Sequence, residues 1–178
     1  MPAGAFWNNM LLDNVFRGDL SPASPYLATT VTATVGPYLC LLYATPSANV
    51  ALSGTAAQTA TFPAGLECSD ANYARLPCPG GKANWYPTQG AYGGSAQSSG
   101  SASPQTFANA KGFVTAAFAT AQTIAAWAIV MQVATQTYGG ATAGTAMVCF
   151  FGSFNGVSQT NAGLPFIIGP GGIAMQWS

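Results

Sequence analysis

The sequence contains no histidine and very few charged residues. Its 178 residues include four Lys or Arg and four Asp or Glu, so 4% are charged, against roughly 25% in an ordinary soluble domain. No charged side chain follows Lys111. Because net charge near zero leaves little electrostatic repulsion between copies, it favours association. The composition therefore predicts one subunit of a larger assembly.

These absences also restrict the chemistry that the chain can perform. Without histidine, a Ser-His-Asp or Cys-His catalytic arrangement cannot form. The few acids are too scattered to predict a pair of glycosidase carboxylates or a site for a hard metal. The bases, which the acids balance, do not provide the basic surface that nucleic-acid binding needs. We therefore expect no enzyme activity, no catalytic or metal-binding residue, no cofactor and no nucleic-acid partner.

The four cysteines leave several disulfide pairings open. Cys40, Cys68, Cys78 and Cys149 have no Cys-x-x-Cys spacing, and no histidine can complete a zinc site. Cys68 and Cys78 are close in a Pro- and Gly-rich region, so they are a candidate disulfide that would contribute about 2–3 kcal/mol. Cys40 and Cys149 lie in apolar segments. They are predicted to be buried free thiols or, if the two strands are neighbours, a second disulfide pair.

An acidic turn lies beside the first of these cysteine pairs. Glu67 and Asp70 are close in sequence to Arg75 and Lys82. Ion pairing or hydrogen bonding within the turn is the expected role of the two acids, and Glu67 with Arg75 is the candidate ion pair.

One helix is predicted near the N-terminus, over residues 6–17. Trp7, Met10 and Val15 fall on one face at helical spacing, and Gly18 follows as a C-terminal stop. The apolar face predicts a helix that packs against a sheet.

The remainder of the chain is predicted to be β. Residues 27–35 alternate apolar and polar side chains, and residues 38–43, YLCLLY, are apolar on both faces, as in a central strand. Further strands are predicted at residues 72–76, 113–118, 124–132, 147–154, 164–168 and 173–177. Turn signals such as Asn155-Gly156 and the run 169–172 separate them. The pattern predicts one mainly β domain over residues 1–178, an antiparallel β-sandwich of jelly-roll or Ig-like type with one short N-terminal helix.

Neither a targeting segment nor a membrane span is predicted. Residues 1–19 lack the basic start and the continuous apolar run of a secretory signal. Residues 114–134 are uncharged over about the length of a membrane span, but they are rich in Thr and Gln. We interpret them as two strands and a turn, and we expect no membrane partner.

A long loop, residues 79–105, carries Trp85, Tyr86 and Tyr92 among Gly, Ser and Gln. Loops of this length are usually functional or form interfaces. Two interpretations have equal weight. The aromatic side chains contact a neighbouring subunit or a glycan, or they attach the loop to its own domain.

Several segments share their order and spacing with one protein family. LLDNVFRGD (11–19), YLCLLYATPS (38–47) and LECSDANYARL (66–76) resemble its first half, and VCFFGSF (148–154) and NAGLPFII (161–168) its second half. The family is that of small tailed-phage virion proteins, usually labelled tail fibre or minor tail protein, and proteins of this general kind also occur as head decorations. The resemblance implies a β-sandwich protein on the outer surface of the virion, assembled in the host cytoplasm. Leu164 departs from it, because an acid usually follows Gly163.

Two functions are expected from this resemblance and the composition. The first is a capsid decoration, or cement, protein that clamps subunits of the major capsid protein and associates with copies of itself, as a homotrimer. The alternative is a tail fibre, minor tail protein or host-binding adhesin, in which Trp85, Tyr86 and Tyr92 contact other virion proteins or stack on a host surface glycan.

Overall fold

The structure, a computed structural model, describes residues 15–16, 36–45, 62–81, 83–86, 107–132 and 146–175. This part of the chain is mainly strands in antiparallel sheets, which confirms the predicted fold class at that level. The strands are β1 (Gly36–Leu42), β2 (Leu76–Pro77), β3 (Phe107–Ala108), β4 (Phe113–Ala117), β5 (Gln122–Gln132), β6 (Ala146–Thr160), β7 (Pro165–Ile168) and β8 (Ala174–Met175). Val15 and Phe16 are helical. The rest of the predicted helix and the predicted strand 27–35 lie outside the described residues.

The chain divides into two compact units, which we describe separately. Unit 1 comprises Met1–Thr30, Pro79–Gly112 and Ile168–Ser178, and unit 2 comprises Val31–Cys78 and Phe113–Ile167. The single domain over residues 1–178 stays a prediction.

Unit 2 contains a four-stranded antiparallel sheet with the strand order β2-β1-β5-β6. Cys40 pairs with Ala128, and Leu41 pairs with Trp127. Successive side chains of β1 point to opposite faces of the sheet, and those of Leu39, Cys40, Leu41 and Leu42 are all fully buried. β1 is therefore an internal strand covered on both faces, as the apolar run 38–43 predicts.

One face of this sheet carries a cluster of small and medium apolar side chains on β1 and β5. Phe62, Tyr38 and Phe151 pack against this cluster. Its buried members are Cys40, Leu42, Ala126, Ala128 and Val130. The alanines of β5 leave room beside β1 for the larger aromatic rings.

The turn predicted at Asn155-Gly156 is wrong, because β6 continues through it. The pairing of β6 with β5 is irregular at this place, since Ile124 pairs with Ser158 whereas Ala126 pairs with Ser153. Residues 154–157 therefore form a bulge within the strand. Turn-forming residues inside a paired strand are commonly accommodated in this way.

Two other segments differ in how well the sequence predicts them. Of the strand expected at residues 72–76, only Leu76 lies in a strand, β2, because Asp70 begins a turn in which its carbonyl accepts a hydrogen bond from the amide of Tyr73 at 2.9 Å. The described residues of the segment 114–134 contain most of β4 and all of β5, joined by residues 118–121, which confirms the interpretation as two strands and a turn. Among the helical residues that the structure describes, none forms a helix long and apolar enough to cross a membrane.

Unit 1 contains the antiparallel pair of β3 and β8. Asn109 is fully buried, and its amide nitrogen donates to the carbonyls of Lys111 (2.6 Å) and Gly169 (3.0 Å). Its side-chain oxygen accepts a hydrogen bond from the amide of Ile173 at 2.8 Å. Asn109 thereby fixes the predicted turn at 169–172, where Gly171 adopts the left-handed φ of 76°.

Candidate functional site

Three large apolar side chains are exposed in the described part of unit 2. Val114 on β4 is 57% exposed, Ile167 on β7 is 66% exposed, and Leu164, immediately before β7, is 52% exposed. We call the exposed side chains of Val114 and Ile167 the apolar face, and Leu164 is exposed at the adjoining end of β7. Exposed apolar side chains that cluster are informative, whereas scattered ones are ordinary.

Strand alternation produces this face. β4 and β7 form a two-stranded sheet. On β4, Thr115 is buried next to the exposed Val114, and on β7, Phe166 is buried next to the exposed Ile167. Because successive side chains of a strand point to opposite sides, one side of this sheet is buried and the other carries Val114 and Ile167.

Hydrogen bonds hold the backbone of the apolar face. The hydroxyl of Thr115 accepts from the amide of Phe166 at 2.8 Å and donates to the carbonyl of Ala116 at 2.7 Å. The amide of Phe118 donates to the carbonyl of Leu164 at 3.1 Å, and the amide of Gly163 donates to the carbonyl of Phe118 at 2.8 Å. A surface whose backbone is already fixed loses little conformational entropy on binding.

The apolar face lies in the part of the sequence that has no charge. No Asp, Glu, Lys, Arg or His occurs between Gly112 and Ser178. A partner that covers this face therefore removes no charge of these residues from water, and contact here depends on apolar burial.

Asp70 is the centre of a buried polar network in the same unit. Its side chain is 9% exposed. One carboxylate oxygen accepts from the amides of Asn72 and Ala119, each at 2.9 Å. The other accepts from the amide of Thr120 (2.9 Å), the hydroxyl of Thr120 (3.0 Å) and the side-chain amide of Gln122 (3.1 Å).

These hydrogen bonds decide the ionisation of Asp70. Burial raises the pKa of its carboxyl, but the backbone hydrogen bonds from Ala119, Asn72 and Thr120, with the Thr120 hydroxyl, outweigh burial and hold the pKa well below its usual range. The carboxylate is therefore ionised at neutral pH and all its bonds come from neutral donors. This arrangement fixes local structure.

A second network joins Glu67, Tyr73 and Arg75. Arg75 donates to both carboxylate oxygens of Glu67, with Nε–Oε1 and Nη2–Oε2 distances of 2.8 Å. This is the pair that the sequence predicts. The Glu67 hydrogen bond raises the pKa of the Arg75 guanidinium. Tyr73 donates its hydroxyl hydrogen to Glu67 at 3.2 Å and accepts from the amide of Leu41 at 2.9 Å. The network therefore supports β1.

The predicted disulfide between Cys68 and Cys78 is wrong, since both are free, buried thiols in the structure. The amide of Cys68 donates to the carbonyl of Leu41, whereas that of Cys78 donates to Pro37 at the other end of β1. At a strand rise of about 3.3 Å per residue, these two positions are about 13 Å apart. A disulfide needs a Cα separation of roughly 4.4–6.8 Å.

The other thiols have no evident reactive role. Cys40 is also free and buried. Burial raises the pKa of the Cys40 and Cys78 thiols, which keeps them protonated and weakly nucleophilic. The side chain of Cys149, on β6, lies outside the described part of the structure.

The structure describes two of the three aromatic residues predicted as contacts in the loop 79–105. Trp85 is fully buried, its ring lies 4.6 Å from that of Phe16, and its indole nitrogen donates to the carbonyl of Pro79 at 3.0 Å. The expected glycan or subunit contact of Trp85 is therefore wrong, because a ring without solvent exposure cannot stack on a sugar. Tyr86 is half-buried, and its amide donates to Ala108. Tyr92 lies outside the described residues.

Sequence reasoning missed both the apolar face and the role of Asp70. The sequence of β4 gives no signal for the former, because the apolar Val114 is exposed and the polar Thr115 is buried. Most donors to Asp70 come from residues 119–122, far away in sequence. Among the described residues, no group of three or more His, Cys, Asp or Glu is placed to hold a metal ion.

Comparison with known proteins shows no family for this chain. No protein-family model matches the chain, and a search of curated proteins finds no match.

Proposed function

We propose that the protein is a non-enzymatic structural protein of a bacteriophage virion, a decoration protein that clamps subunits of the major capsid protein on the outer surface of the particle. The observation that supports it is the apolar face of Val114 and Ile167, with Leu164 exposed at the end of β7, within a sequence that has no charge after Lys111. Leu164 stands where the resembling family usually has an acid, so this chain replaces a hydrated charge by a side chain that gains from burial.

The fold within this proposal is an antiparallel β-sandwich. The sheet of β4 and β7 supports it, because this sheet buries one side and exposes the other, as each sheet of a sandwich does.

Clamping by such a protein requires only modest contacts. Each copy on a capsid meets the same surface in a repeated arrangement, and linked copies bind far more tightly than one copy alone. A homotrimer of this chain has three such faces, so three weak contacts act together.

The burial of Trp85 argues against the tail-fibre or adhesin alternative. It assigned sugar stacking to Trp85, Tyr86 and Tyr92, and Trp85 is enclosed by its own chain.

The number of copies in each virion tests the proposal. Quantitative mass spectrometry against the major capsid protein should give hundreds of copies in a simple ratio to capsid subunits. A few copies, or a few dozen, would instead place the protein on the tail or neck and refute the decoration function.

A matched pair of variants tests the apolar face. In phage that carry Ile167→Ser, we expect fewer copies in each particle, because the variant removes apolar area from the contact. Gln159→Ser changes an exposed side chain outside the face, on β6, and should leave the copy number unchanged. Equal incorporation of both variants would exclude the face as the capsid contact.

A further inference from the structure

The chain passes between the two sheets of unit 2 at one short corner. β4 belongs to the sheet with β7, and β5 belongs to the four-stranded sheet. Residues 118–121 connect β4 to β5. The position of the β4–β7 sheet therefore depends on how this corner is held.

Asp70, which belongs to a different segment of the chain, holds this corner by hydrogen bonds. Its carboxylate accepts the amides of Ala119 and Thr120 and the hydroxyl of Thr120. The side-chain amide of Asn72 adds a hydrogen bond to the carbonyl of Ala117 at 2.9 Å. Both ends of the corner are thus attached to the segment that contains Asp70.

That segment is itself attached to β1. The amide of Tyr43 donates to Leu66 at 2.8 Å, and the amide of Cys68 donates to Leu41 at 2.9 Å. The support of Asp70 is therefore the buried strand β1 of the four-stranded sheet.

The corner is attached in turn to the apolar face. Phe118, next to Ala119, exchanges main-chain hydrogen bonds with Gly163 and Leu164. Hydrogen bonds, linked by short stretches of chain at residues 68–70 and 118–119, thus connect β1 to Leu164 at the start of β7.

We propose that Asp70 is a positioning residue for the apolar face, which controls association through that face by fixing the corner at residues 118–120. A carboxylate is required because several N–H and O–H donors converge on it. Asparagine at this place would turn an amide N–H toward donors that need an acceptor. What the face binds rests on the proposed function, but the coupling of Asp70 to the face does not.

Hydrogen exchange measured by NMR on the full chain tests the coupling alone. In Asp70→Asn, we expect the amides of Phe118 and Gly163 to exchange roughly tenfold faster or more, the effect of losing hydrogen bonds to a charged group. The amide of Cys78, bonded to Pro37 at the far end of β1, should keep its wild-type rate. A purely local role would change Ala119 and Thr120 and leave Gly163 unchanged, which would overturn the proposal.

Two further variants keep this test decisive. Thr120→Val removes one donor to Asp70 with little change of shape, so it should give the same pattern with a smaller effect, even if Asp70→Asn folds poorly. Glu67→Gln removes a carboxylate that is bonded to Arg75, and it should not speed exchange at Gly163 more than at Cys78. Equal acceleration at Gly163 and Cys78 in Thr120→Val would mean general destabilisation and would overturn the coupling.

Incorporation into virions tests the consequence. In phage that carry Asp70→Asn or Ile167→Ser, we expect about tenfold fewer copies in each particle, whereas Glu67→Gln should leave the copy number unchanged. Normal incorporation of Asp70→Asn together with poor incorporation of Ile167→Ser would overturn control of the face by Asp70. Normal incorporation of Ile167→Ser would refute the face as the capsid contact, while the exchange experiment would still decide the coupling.

Discussion

Asp70 and Glu67, two neighbouring acids, are stabilised in different ways. Asp70 is nearly buried and is surrounded by neutral N–H and O–H donors. Glu67 is more exposed and forms a bidentate pair with Arg75. A half-buried ion pair is partly screened by solvent and contributes modestly to stability, whereas a buried carboxylate that loses its donors is costly. At the scale of single residues, Asp70 is therefore the acid on which unit 2 depends most.

This difference predicts an acid-dependent loss of stability. Burial raises the pKa of Asp70, but its hydrogen bonds lower this pKa by more than burial raises it. The pKa of Asp70 therefore lies well below the ordinary value of about 4. A carboxyl with a lowered folded-state pKa contributes stability above its unfolded pKa, and this contribution is lost as the pH falls. We expect the free energy of unfolding to fall below about pH 4, and to fall less steeply in Asp70→Asn. Urea unfolding across this range measures both slopes, and parallel slopes would contradict the prediction.

The contact of Trp127 with Gly152 predicts a second effect at the residue scale. A Cβ atom at Gly152 would lie 2.8 Å from Cζ2 of Trp127, whose side chain is 1% exposed and has no room to move away. We expect Gly152→Ala to lower the free energy of unfolding by about 1–3 kcal/mol, the usual cost of overpacking.

A glycine without such a neighbour is the control for this substitution. A Cβ at Gly169 meets nothing within 4 Å, so Gly169→Ala should change stability by less than about 0.5 kcal/mol. Denaturant unfolding of both variants makes the comparison. Equal effects would show that loss of glycine, rather than the clash with Trp127, is responsible.

At the scale of elements, β1 is longer than the strand β2 that pairs with it. β2 covers only Tyr38 and Leu39. Beyond it, the hydroxyl of Tyr73 accepts from the amide of Leu41, and the amide of Cys68 donates to the carbonyl of Leu41. A side chain therefore replaces the missing strand, which satisfies a buried main-chain group.

Tyr73→Phe tests this replacement. The variant leaves the buried amide of Leu41 without its tyrosine acceptor, at an expected cost of about 1–3 kcal/mol in the free energy of unfolding. Hydrogen exchange should accelerate at Leu41 more than at Cys78, whose amide bonds Pro37 independently. Wild-type stability with a protected Leu41 amide would contradict the role of the hydroxyl.

The sequence predicts elements better than it predicts their contacts. β1 and β5 follow from long apolar runs, because a strand buried on both faces has no polar alternation. The turn signal at Asn155-Gly156 misleads, because pairing with β5 overrides local preference and converts the signal into a bulge. The distance between Cys68 and Cys78 depends on which segments lie beside β1, and so do the donors to Asp70. Local sequence does not predict such long-range contacts.

The whole molecule is suited to association that does not depend on charge. Net charge is zero, with 4% charged residues, and the apolar face lies in the uncharged part of the sequence. Apolar burial is unaffected by the screening that weakens ion pairs. Salt dependence therefore separates this mode of assembly from one based on charged contacts.

We expect the dissociation constant for the capsid surface to change by less than about threefold as sodium chloride rises from about 0.05 to about 0.5 M. Sodium sulfate should tighten binding, because excluded salts strengthen apolar burial. Ile167→Ser should weaken binding at every salt concentration, since it removes apolar area without adding charge. Cosedimentation of the purified protein with capsids that lack it measures these changes in both salts. Weakening by tenfold or more in sodium chloride would mean that the few charged residues up to Lys111, rather than the apolar face, hold the protein on the capsid.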